Sequence, residues 1–394
     1  MPFKYRRQPL KAIYLLVSAL FLLLRIPFWT LRNLFPSWRP RRQWSLARSL
    51  LVELINAATA IMLSTTLPSA EPLERLKGNS NFVWVEPAAH LVTGEVRRFT
   101  ELNGVEAART GVFWYSRNHP QEKVGQRAYS GEKVLYLLHG GGFVMGSAAP
   151  SFLPTATICK GLLQTVPHLS RIFALEYRLS SGPPFPSTNS FPASLIDAIA
   201  GYRYLIEDAG FPPCDIIVCG DSAGGILAYQ LTRYLTTDAN ANTNLAGVGT
   251  LLLLSPSADS ALRRNTPSMC ENTRSDYVRT WFDAAYGVHA LLGSLPPDEL
   301  DKPWLSPGSL MFADDAIKGL FKAFPPTCIL AGEAEMSRDS MRVLKRRMAA
   351  DMGDDKVTYV EVANAPHDFL ALEMLEPERS EGLRRVAAWI SGVV

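Results

Sequence analysis

Short apolar runs alternate with stretches of helical period through the last two thirds of the chain. Apolar runs of strand length occupy residues 134–138, 172–176, 216–219, 248–254, 327–331 and 357–362. Patterns of helical period occupy residues 194–209, 223–234, 339–352 and 381–390. Strands that alternate with helices predict a mostly parallel central sheet covered by helices on both faces, which is the α/β class.

The pattern is weaker at the start of the chain and is interrupted once later. Residues 42–63 are rich in apolar side chains, contain no Gly or Pro and predict a helix. Residues 82–85 and 112–115 give weaker strand signals. Residues 257–310 do not continue the alternation of strands and helices, and we expect an insertion there.

The N-terminal 36 residues combine an apolar run with many cations. Residues 12–24 carry no charge but are short for a membrane span, which needs about 20 apolar residues. The run is long enough if it continues to Leu31, past Arg25 and Pro27. The first 50 residues hold ten Lys and Arg and no acid, and three tryptophans lie among the arginines. These features predict an uncleaved, single-pass anchor in contact with membrane lipid.

Other interpretations of this segment fit its residues less well. The sequence "LRIPFW" after the apolar run is not the small-residue site of a cleaved signal peptide. Cations immediately before the run argue against a buried core helix. Nucleic acid is not expected as a partner, because the cations bracket an apolar run and do not line a polar face. Both flanks are basic, so the positive-inside rule assigns no orientation.

The first chemical signal lies between a predicted strand and a predicted helix. The sequence "VCGDSAGG" places Gly220 and Gly224 on either side of Ser222, in the arrangement G-x-S-x-G. Between a strand and a helix this arrangement is a nucleophile elbow, in which the serine hydroxyl projects from the sheet. Asp221 is interpreted as a structural residue of the turn. The elbow predicts Ser222 as the nucleophile.

A run of three glycines, Gly140 to Gly142, follows His139 and the predicted strand at residues 134–138. Attack on a carbonyl develops negative charge on oxygen, and backbone N–H groups stabilise that charge if no side chain blocks their approach. A glycine run meets this requirement, and the N–H of Ala223, directly after the serine, adds a further donor. The two motifs together predict acyl-transfer chemistry.

A serine nucleophile needs a base and an acid that orients the base. With a G-x-S-x-G elbow the order along the chain is serine, acid, histidine. His289 and His367 are the histidines after Ser222, and His367 is the expected base because it follows the last predicted strand. The acid is expected after residues 327–331, where spacing alone does not choose among Glu333, Glu335 and Asp339.

These motifs resemble the hormone-sensitive-lipase-like branch of the α/β-hydrolases, the α/β-hydrolase-3 type. The matching blocks are "LHGGGFVMGS", "EYRLSSGPPFPS", "GDSAGG", "LLSPSADS", "AGEAEMSRD" and "APHDFL", in the order of the family over roughly residues 130–390. The resemblance implies an α/β-hydrolase fold with a mainly helical cap. It also implies a serine carboxylesterase or deacetylase that uses neither a cofactor nor a metal.

The resemblance also implies individual site residues. The acid segment of the family resembles A-G-x-x-D-x-L-R-D; Arg338 and Asp339 match its final pair, which puts Glu335 at the position of the triad acid. Glutamate in place of aspartate is a departure from the family, and Glu333 is the alternative. The oxyanion-hole donors that the resemblance implies are Gly141, Gly142 and Ala223.

In this branch the cap is built from N-terminal residues and an insertion. The expected division is an anchor at residues 1–36, an N-terminal cap region with the first strands at 37–110, and a catalytic domain at 111–394 with a cap insertion at about 257–310. An anchor before such a domain is similar to arylacetamide deacetylases and to fungal steryl acetyl hydrolases and secondary-metabolite hydrolases. This looser resemblance implies the endoplasmic reticulum membrane, with the catalytic domain on the lumenal side.

Three functions follow from these observations. The first is a membrane-anchored serine hydrolase that cleaves short-acyl or acetyl esters of lipophilic alcohols through Ser222, His367 and Glu335. The second is a biosynthetic hydrolase, acyltransferase, cyclisation or elimination enzyme that acts on a secondary metabolite. The third is a non-catalytic binding protein on the same fold, which the presence of serine, histidine and an acid disfavours. The sequence predicts the first function and leaves the oligomeric state open.

Overall fold

The computed structural model describes residues 2–117, 124–238, 245, 247–261 and 266–393. Within these ranges the chain forms one sheet of eight strands. They are β1 (Phe82–Val85), β2 (Thr110–Ser116), β3 (Lys133–Leu138), β4 (Leu169–Glu176), β5 (Ile216–Asp221), β6 (Thr250–Leu254), β7 (Thr327–Gly332) and β8 (Val357–Val362). Their order across the sheet is β1-β2-β4-β3-β5-β6-β7-β8. The pairs β1–β2 and β2–β4 are antiparallel, and all later neighbours are parallel.

The described part of the chain has twelve α-helices, and several of them cover the two faces of the sheet. In chain order they are α1 (Leu10–Arg32), α2 (Leu46–Ser64), α3 (Leu73–Leu76), α4 (Gly94–Asn103), α5 (Leu153–Thr165), α6 (Ala193–Arg203), α7 (Ala223–Arg233), α8 (Pro267–Glu271), α9 (Arg279–Ala284), α10 (Tyr286–Leu292), α11 (Arg338–Met352) and α12 (Glu378–Val393). Helices α6, α7 and α11 contribute to one core cluster, and α5 and α12 contribute to the other.

The two core clusters explain why the central strands are continuous apolar runs. In β3, Val134, Tyr136 and Leu138 point into one cluster, whereas Leu135 and Leu137 point into the other. A parallel strand buried on both faces needs an apolar side chain at every position. The α/β architecture predicted from the alternating pattern is therefore present, with the antiparallel strands β1 and β2 at one edge.

Several boundaries differ from the sequence prediction for local reasons. The helix predicted from residue 42 begins at Leu46, because Ser45 caps it and the Ser45 side chain accepts a hydrogen bond from the Arg48 N–H at 3.1 Å. The strand predicted from residue 248 begins at Thr250, and the helix predicted to residue 209 ends as α-helix at Arg203 before a π-helical turn. Helices α4 and α5 were not predicted.

The strand ends bring the predicted motifs to one edge of the sheet. The glycine run follows β3, the serine elbow follows β5, the acidic segment follows β7 and His367 follows β8. The carboxyl ends of these parallel strands all lie at the same edge. Ligands of open α/β sheets bind outside that edge, so the topology alone gathers the candidate site.

The N-terminal helices and the interrupted stretch lie over this edge. Helix α1 packs against α2, and α2 packs against α9. The Asn56 side chain of α2 donates to the Asp276 carbonyl at 3.1 Å and accepts from the Thr280 hydroxyl at 3.1 Å. Of the stretch expected as an insertion, residues 262–265 lie outside the described residues. Among the described helices, α1 and α2 are long and apolar enough to cross a membrane.

Candidate active site

Ser222 occupies a sharp turn between β5 and α7. Its backbone has φ +53° and ψ −114°, a region in which a residue with a Cβ is strained. A Cβ on Gly220 would lie 2.0 Å from the Gly224 carbonyl oxygen, and one on Gly224 would lie 1.9 Å from the Leu138 carbonyl oxygen. Both flanking positions therefore require glycine, which gives the physical reason for the G-x-S-x-G spacing.

His367 lies between the serine and a carboxylate. Its Nε2 is 2.8 Å from Ser222 Oγ, and its Nδ1 is 2.8 Å from Glu335 Oε2. An ionised carboxylate can only accept, so Nδ1 carries the proton and Nε2 is free to accept the serine hydroxyl. The three side chains form the hydrogen-bonded chain that nucleophile activation requires.

Glu335 is fully buried and its carboxylate is held on every side. Oε1 accepts hydrogen bonds from Ser255 Oγ at 2.7 Å and from the Gly332 N–H, and Oε2 also accepts from Ser337 Oγ at 3.2 Å. These donors fix the orientation of the longer glutamate side chain and compensate its desolvation. The departure from aspartate is therefore accommodated by the protein around it.

The other two candidate acids are engaged elsewhere. Glu333 Oε2 accepts from the Asn364 N–H at 3.0 Å, and Asp339 Oδ2 accepts from the Ser268 N–H at 2.8 Å. The structure thus brings Glu335, and neither of these carboxylates, to the histidine that the sequence predicts as the base. The other candidate base, His289, lies on α10, outside this hydrogen-bonded chain.

The glycine loop presents unpaired backbone donors beside the serine. Within the described residues, the N–H groups of Gly141, Gly142 and Ala223 have no hydrogen-bond acceptor. Gly141 has φ +116° and Gly142 has φ +63°, both in the region that favours glycine. Gly142 and Ala223 line the same small cavity as Ser222. Free donors at this place suit the developing negative charge of a tetrahedral intermediate.

Asp221 and His139 hold the glycine loop in place. The Gly140 N–H donates to Asp221 Oδ2 at 3.0 Å, and His139 Nδ1 donates to the Gly140 carbonyl at 2.8 Å. The His139 ring stacks on Tyr177 with 4.2 Å between ring centroids. Burial lowers the pKa of His139 to about 4, so that this imidazole stays neutral. Both residues have structural contacts, which agrees with the interpretation of Asp221 as a structural residue of the turn.

Buried carboxylates surround the histidine of the candidate triad. Asp368 Oδ2 lies 3.4 Å from His367 Nε2, and Asp276 is fully buried nearby. Burial by itself lowers the pKa of His367, but the charges of Asp368, Glu335 and Asp276 outweigh it and raise the pKa above its usual value of 6.5. Burial in turn raises the pKa of Asp276 to about 6 and holds that of Asp368 well above its usual range. This environment stabilises the imidazolium that forms during proton transfer.

Two cavities of different size meet at Ser222 and His367. The smaller has a volume of about 60 Å³ and is bounded by side chains of the interrupted stretch, among them Phe282 and Leu291. The larger has a volume of about 370 Å³. Its far wall is formed by α2. Trp281 and Val278 line both cavities.

Sequence reasoning missed three contributors to this site. The Ser255 hydroxyl donates to the Glu335 carboxylate and accepts a hydrogen bond from the Asp368 N–H at 3.2 Å. In the sequence nothing distinguishes Ser255 from the other serines of "SPSADS". Asp368 was visible beside His367, but its approach to Nε2 depends on its left-handed backbone, with φ +44°. The pocket wall from α2 carried no signal, because it is about 160 residues from the elbow.

Comparison with known proteins identifies the family of this chain. The sequence model of a family described as alpha/beta hydrolase fold matches residues 134–371. The chain is 29% identical over 266 residues to an ethyl acetate hydrolase of Pseudomonas putida, covering 65% of this chain and 71% of that protein. It is 30% identical over 159 residues to rat (Rattus norvegicus) arylacetamide deacetylase, covering 37% and 36%. An esterase/lipase from an uncultured bacterium has a similar structure, with a TM-score of 0.56 at 22% identity over 89% of this chain and 99% of that one.

The matched region contains the elbow, the glycine loop, the acidic segment and His367. The chain belongs to the α/β-hydrolase fold family, and the fold predicted from the sequence is confirmed. The resemblance to the α/β-hydrolase-3 type is likewise confirmed, because the family model of that type matches this chain and arylacetamide deacetylase is among its relatives.

Proposed function

We propose that this protein is a membrane-attached serine hydrolase that cleaves short-acyl esters of lipophilic alcohols through Ser222, His367 and Glu335. The observation that carries the proposal is the hydrogen-bonded chain from Ser222 Oγ through His367 to Glu335, with 2.8 Å at each step. The unpaired N–H groups of the glycine loop beside Ser222 complete the arrangement.

The relatives of this chain support ester hydrolysis by a serine hydrolase. Besides the ethyl acetate hydrolase, they include an acetyl-hydrolase of Streptomyces hygroscopicus that is 29% identical over 265 residues. Relatives named as hydrolases and esterases show that this protein is an ester-hydrolysing enzyme. The hydrogen bonds that join the serine, the histidine and a carboxylate support this function over that of a binding protein on the same fold.

The geometry supports a two-step mechanism. Ser222 Oγ attacks the ester carbonyl carbon while His367 Nε2 takes the hydroxyl proton, and Glu335 stabilises the imidazolium. The oxyanion accepts hydrogen bonds from the N–H groups of Gly141, Gly142 and Ala223. The His367 proton then passes to the leaving alkoxide as the ester C–O bond breaks, which leaves an acyl-serine. Water attacks the acyl-serine while His367 takes a proton from it. That proton then passes from His367 to Ser222 Oγ as the bond between the acyl carbon and Oγ breaks, which releases the acid and restores the free serine.

The two cavities support the proposed substrate class. The smaller cavity, of about 60 Å³ against about 370 Å³ for the larger, has room for a short group only, which suits an acetyl or similarly short acyl group. The cavity of about 370 Å³ lies in the range of small-molecule pockets and suits the alcohol part of the ester. Its wall of Ile55, Thr59 and Met62 is largely apolar, which favours a lipophilic alcohol.

The division of the chain and its location are part of the proposal. Residues 1–36 attach the protein to a membrane, residues 37–110 and about 257–310 supply the cap, and residues 111–394 carry the sheet and the reacting groups. The similarity to arylacetamide deacetylase supports the endoplasmic reticulum as the location and the lumen as the side of the catalytic domain. The apolar composition of α1 and α2 supports membrane attachment.

Hydrolysis of a series of activated esters tests the proposed function. The full chain in detergent is assayed with 4-nitrophenyl acetate, butyrate and octanoate, beside Ser222→Ala as the control. We expect turnover that falls from acetate to octanoate and is lost in the variant. Equal release of 4-nitrophenol by the wild type and by folded Ser222→Ala protein would contradict the proposal. Products formed with an added alcohol separate hydrolysis from acyl transfer.

A further inference from the structure

Helix α1 turns its apolar side away from the protein. Of the 24 exposed large hydrophobic side chains among the described residues, 15 lie between Leu10 and Trp38. Leu24, for example, is 73% exposed and Leu16 is 65% exposed. A helix on the surface of a water-soluble protein does the reverse and buries its apolar face. An apolar surface of this extent marks a site of contact with another phase or partner.

The start of α1 is fastened to the catalytic body. Phe3 is fully buried and packs against Phe185 and Tyr286, with ring centroids 5.0 Å and 4.7 Å away. The backbone N–H of Phe3 donates to the Leu63 carbonyl at 2.6 Å, near the end of α2. Lys11 Nζ donates to Thr66 Oγ1 at 3.0 Å, which holds the first turn of α1 at the same place.

The end of α1 is fastened to the same body. The chain after α1 returns across the cap, where Trp44 is buried and its indole N–H donates to the Asn364 carbonyl at 2.8 Å. Arg41 donates to the Asn272 side chain at 2.7 Å. Asn364 follows β8 and Asn272 follows α8, so these contacts reach the sheet and the cap close to the site.

A helix with both ends on one folded body cannot cross a bilayer. The 23 residues of α1 span about 35 Å, which would carry Phe3 through a hydrocarbon layer about 30 Å thick and away from Tyr286. Two antiparallel spans, α1 and α2, are excluded as well, because Trp44 in their connection packs on the catalytic body. The single span expected from the sequence is therefore incompatible with these contacts.

We infer that α1 lies in the plane of a membrane interface made of anionic phospholipid, with both of its ends and the catalytic residues on one side of the membrane. The exposed cations Lys4, Arg7, Arg25 and Arg42 flank or interrupt the apolar surface, and no acid occurs before Glu53. An in-plane helix lets Arg25 reach the headgroups, whereas a spanning helix holds it inside the hydrocarbon layer. This inference rests on the membrane attachment in the proposed function.

The in-plane position places the alcohol pocket next to the lipid. Helix α2 packs against α1 on one side and supplies Ile55, Thr59 and Met62 to the wall of the large cavity on the other. One helix layer, about 10 Å, therefore separates the bilayer surface from the pocket.

Protease protection of sealed microsomes tests the inference on the full chain. A tag is placed before Met1, a second tag follows Val394, and trypsin is added outside the vesicles. We expect the two tags to share one fate, both protected or both digested. Digestion of one tag with protection of the other would overturn the in-plane position while leaving membrane attachment intact. Recovery of the protein in the soluble fraction would overturn the membrane attachment itself.

Charge substitutions on α1 provide the second arm, with purified protein and vesicles of phosphatidylcholine and phosphatidylserine. We expect Leu16→Glu combined with Leu24→Glu to reduce the bound fraction at least about tenfold while hydrolysis of 4-nitrophenyl acetate is kept. Leu102→Glu, at an exposed leucine of α4, is the matched control and keeps binding. Vesicle binding that is unaffected by the α1 substitutions would overturn the inference. A dimer of the free protein that dissociates on these substitutions would also overturn the inference, because α1 would then contact a second copy of the chain.

Discussion

Replacement of Glu335 by glutamine perturbs the triad while it preserves the shape of the side chain. The glutamate carboxylate accepts hydrogen bonds from His367 Nδ1, Ser255 Oγ, the Gly332 N–H and Ser337 Oγ. An amide has one oxygen that accepts and one NH₂ that only donates. The NH₂ must therefore face either His367 or the pair Ser255 and Gly332. On both sides the groups that it faces are hydrogen-bond donors, so the NH₂ cannot accept their hydrogen bonds.

The cost is largest if the NH₂ faces His367. The imidazole then shifts its proton to Nε2, where it can no longer accept the Ser222 hydroxyl, and such a change of tautomer costs about 10⁴-fold in kcat. This loss corresponds to about 5 kcal/mol of activation free energy. Glu335→Asp keeps the charge but shortens the side chain by about 1.5 Å, which stretches the contact of 2.8 Å to roughly 4.3 Å. We expect an intermediate loss of about 10²-fold.

The assay is kcat for 4-nitrophenyl acetate with the full chain in detergent, and circular dichroism verifies the fold of each variant. Glu333→Gln is the matched control, because Glu333 contacts the Asn364 N–H and not His367, and its kcat should stay within about threefold of wild type. A folded Glu335→Gln enzyme with more than a tenth of the wild-type kcat would refute the reasoning. An equal loss of kcat in Glu333→Gln would indicate that Glu335 is not the specific acid of the triad.

Three further predictions follow from the site. His367 must be neutral to act as a base, so kcat/KM rises as the pH rises through the raised pKa of His367. Asp368→Asn removes a negative charge that raises the pKa of His367, and we expect the rise of kcat/KM in a pH–rate profile to move about one pH unit lower. Gly142→Ala puts a Cβ 2.6 Å from Trp281 Nε1 and lowers kcat about 10²-fold by disturbing the oxyanion donors. Gly104→Ala, at a similar φ of +59° but in open space, leaves kcat unchanged. Trp281→Ala removes a large side chain from the lining of the small cavity and raises kcat/KM for octanoate relative to acetate; an unchanged ratio would contradict the assignment of the short acyl pocket.

The central sheet was predictable because each strand carries its own signal. A strand buried on both faces, such as β3, is a continuous apolar run, and the turn at Ser222 needs glycine at two fixed positions for steric reasons. These are local properties that survive in the sequence without knowledge of the fold. The order of the motifs along parallel strands then suffices to collect serine, acid and histidine at one edge.

Contacts between distant segments were not predictable in this way. Spacing left three carboxylates open after β7, and the structure separates them by their partners: Glu335 meets His367, whereas Glu333 meets the Asn364 backbone. The position of α1 depends on where Phe3 is buried, 60 residues before its partner Leu63 and far from Tyr286. The apolar run predicted that α1 is a helix, but it did not predict whether the helix crosses a membrane or lies in its plane.

Detection of the acyl-enzyme tests whether Ser222 is the nucleophile. The full chain is mixed with 4-nitrophenyl acetate, quenched in acid within the first turnover and digested, and the peptides are measured by mass spectrometry. We expect one added acetyl group on the peptide that contains Ser222, absent from Ser222→Ala and longer-lived in His367→Ala once formed. An active enzyme that carries no acetyl group on Ser222, or carries it on another residue, would contradict the account.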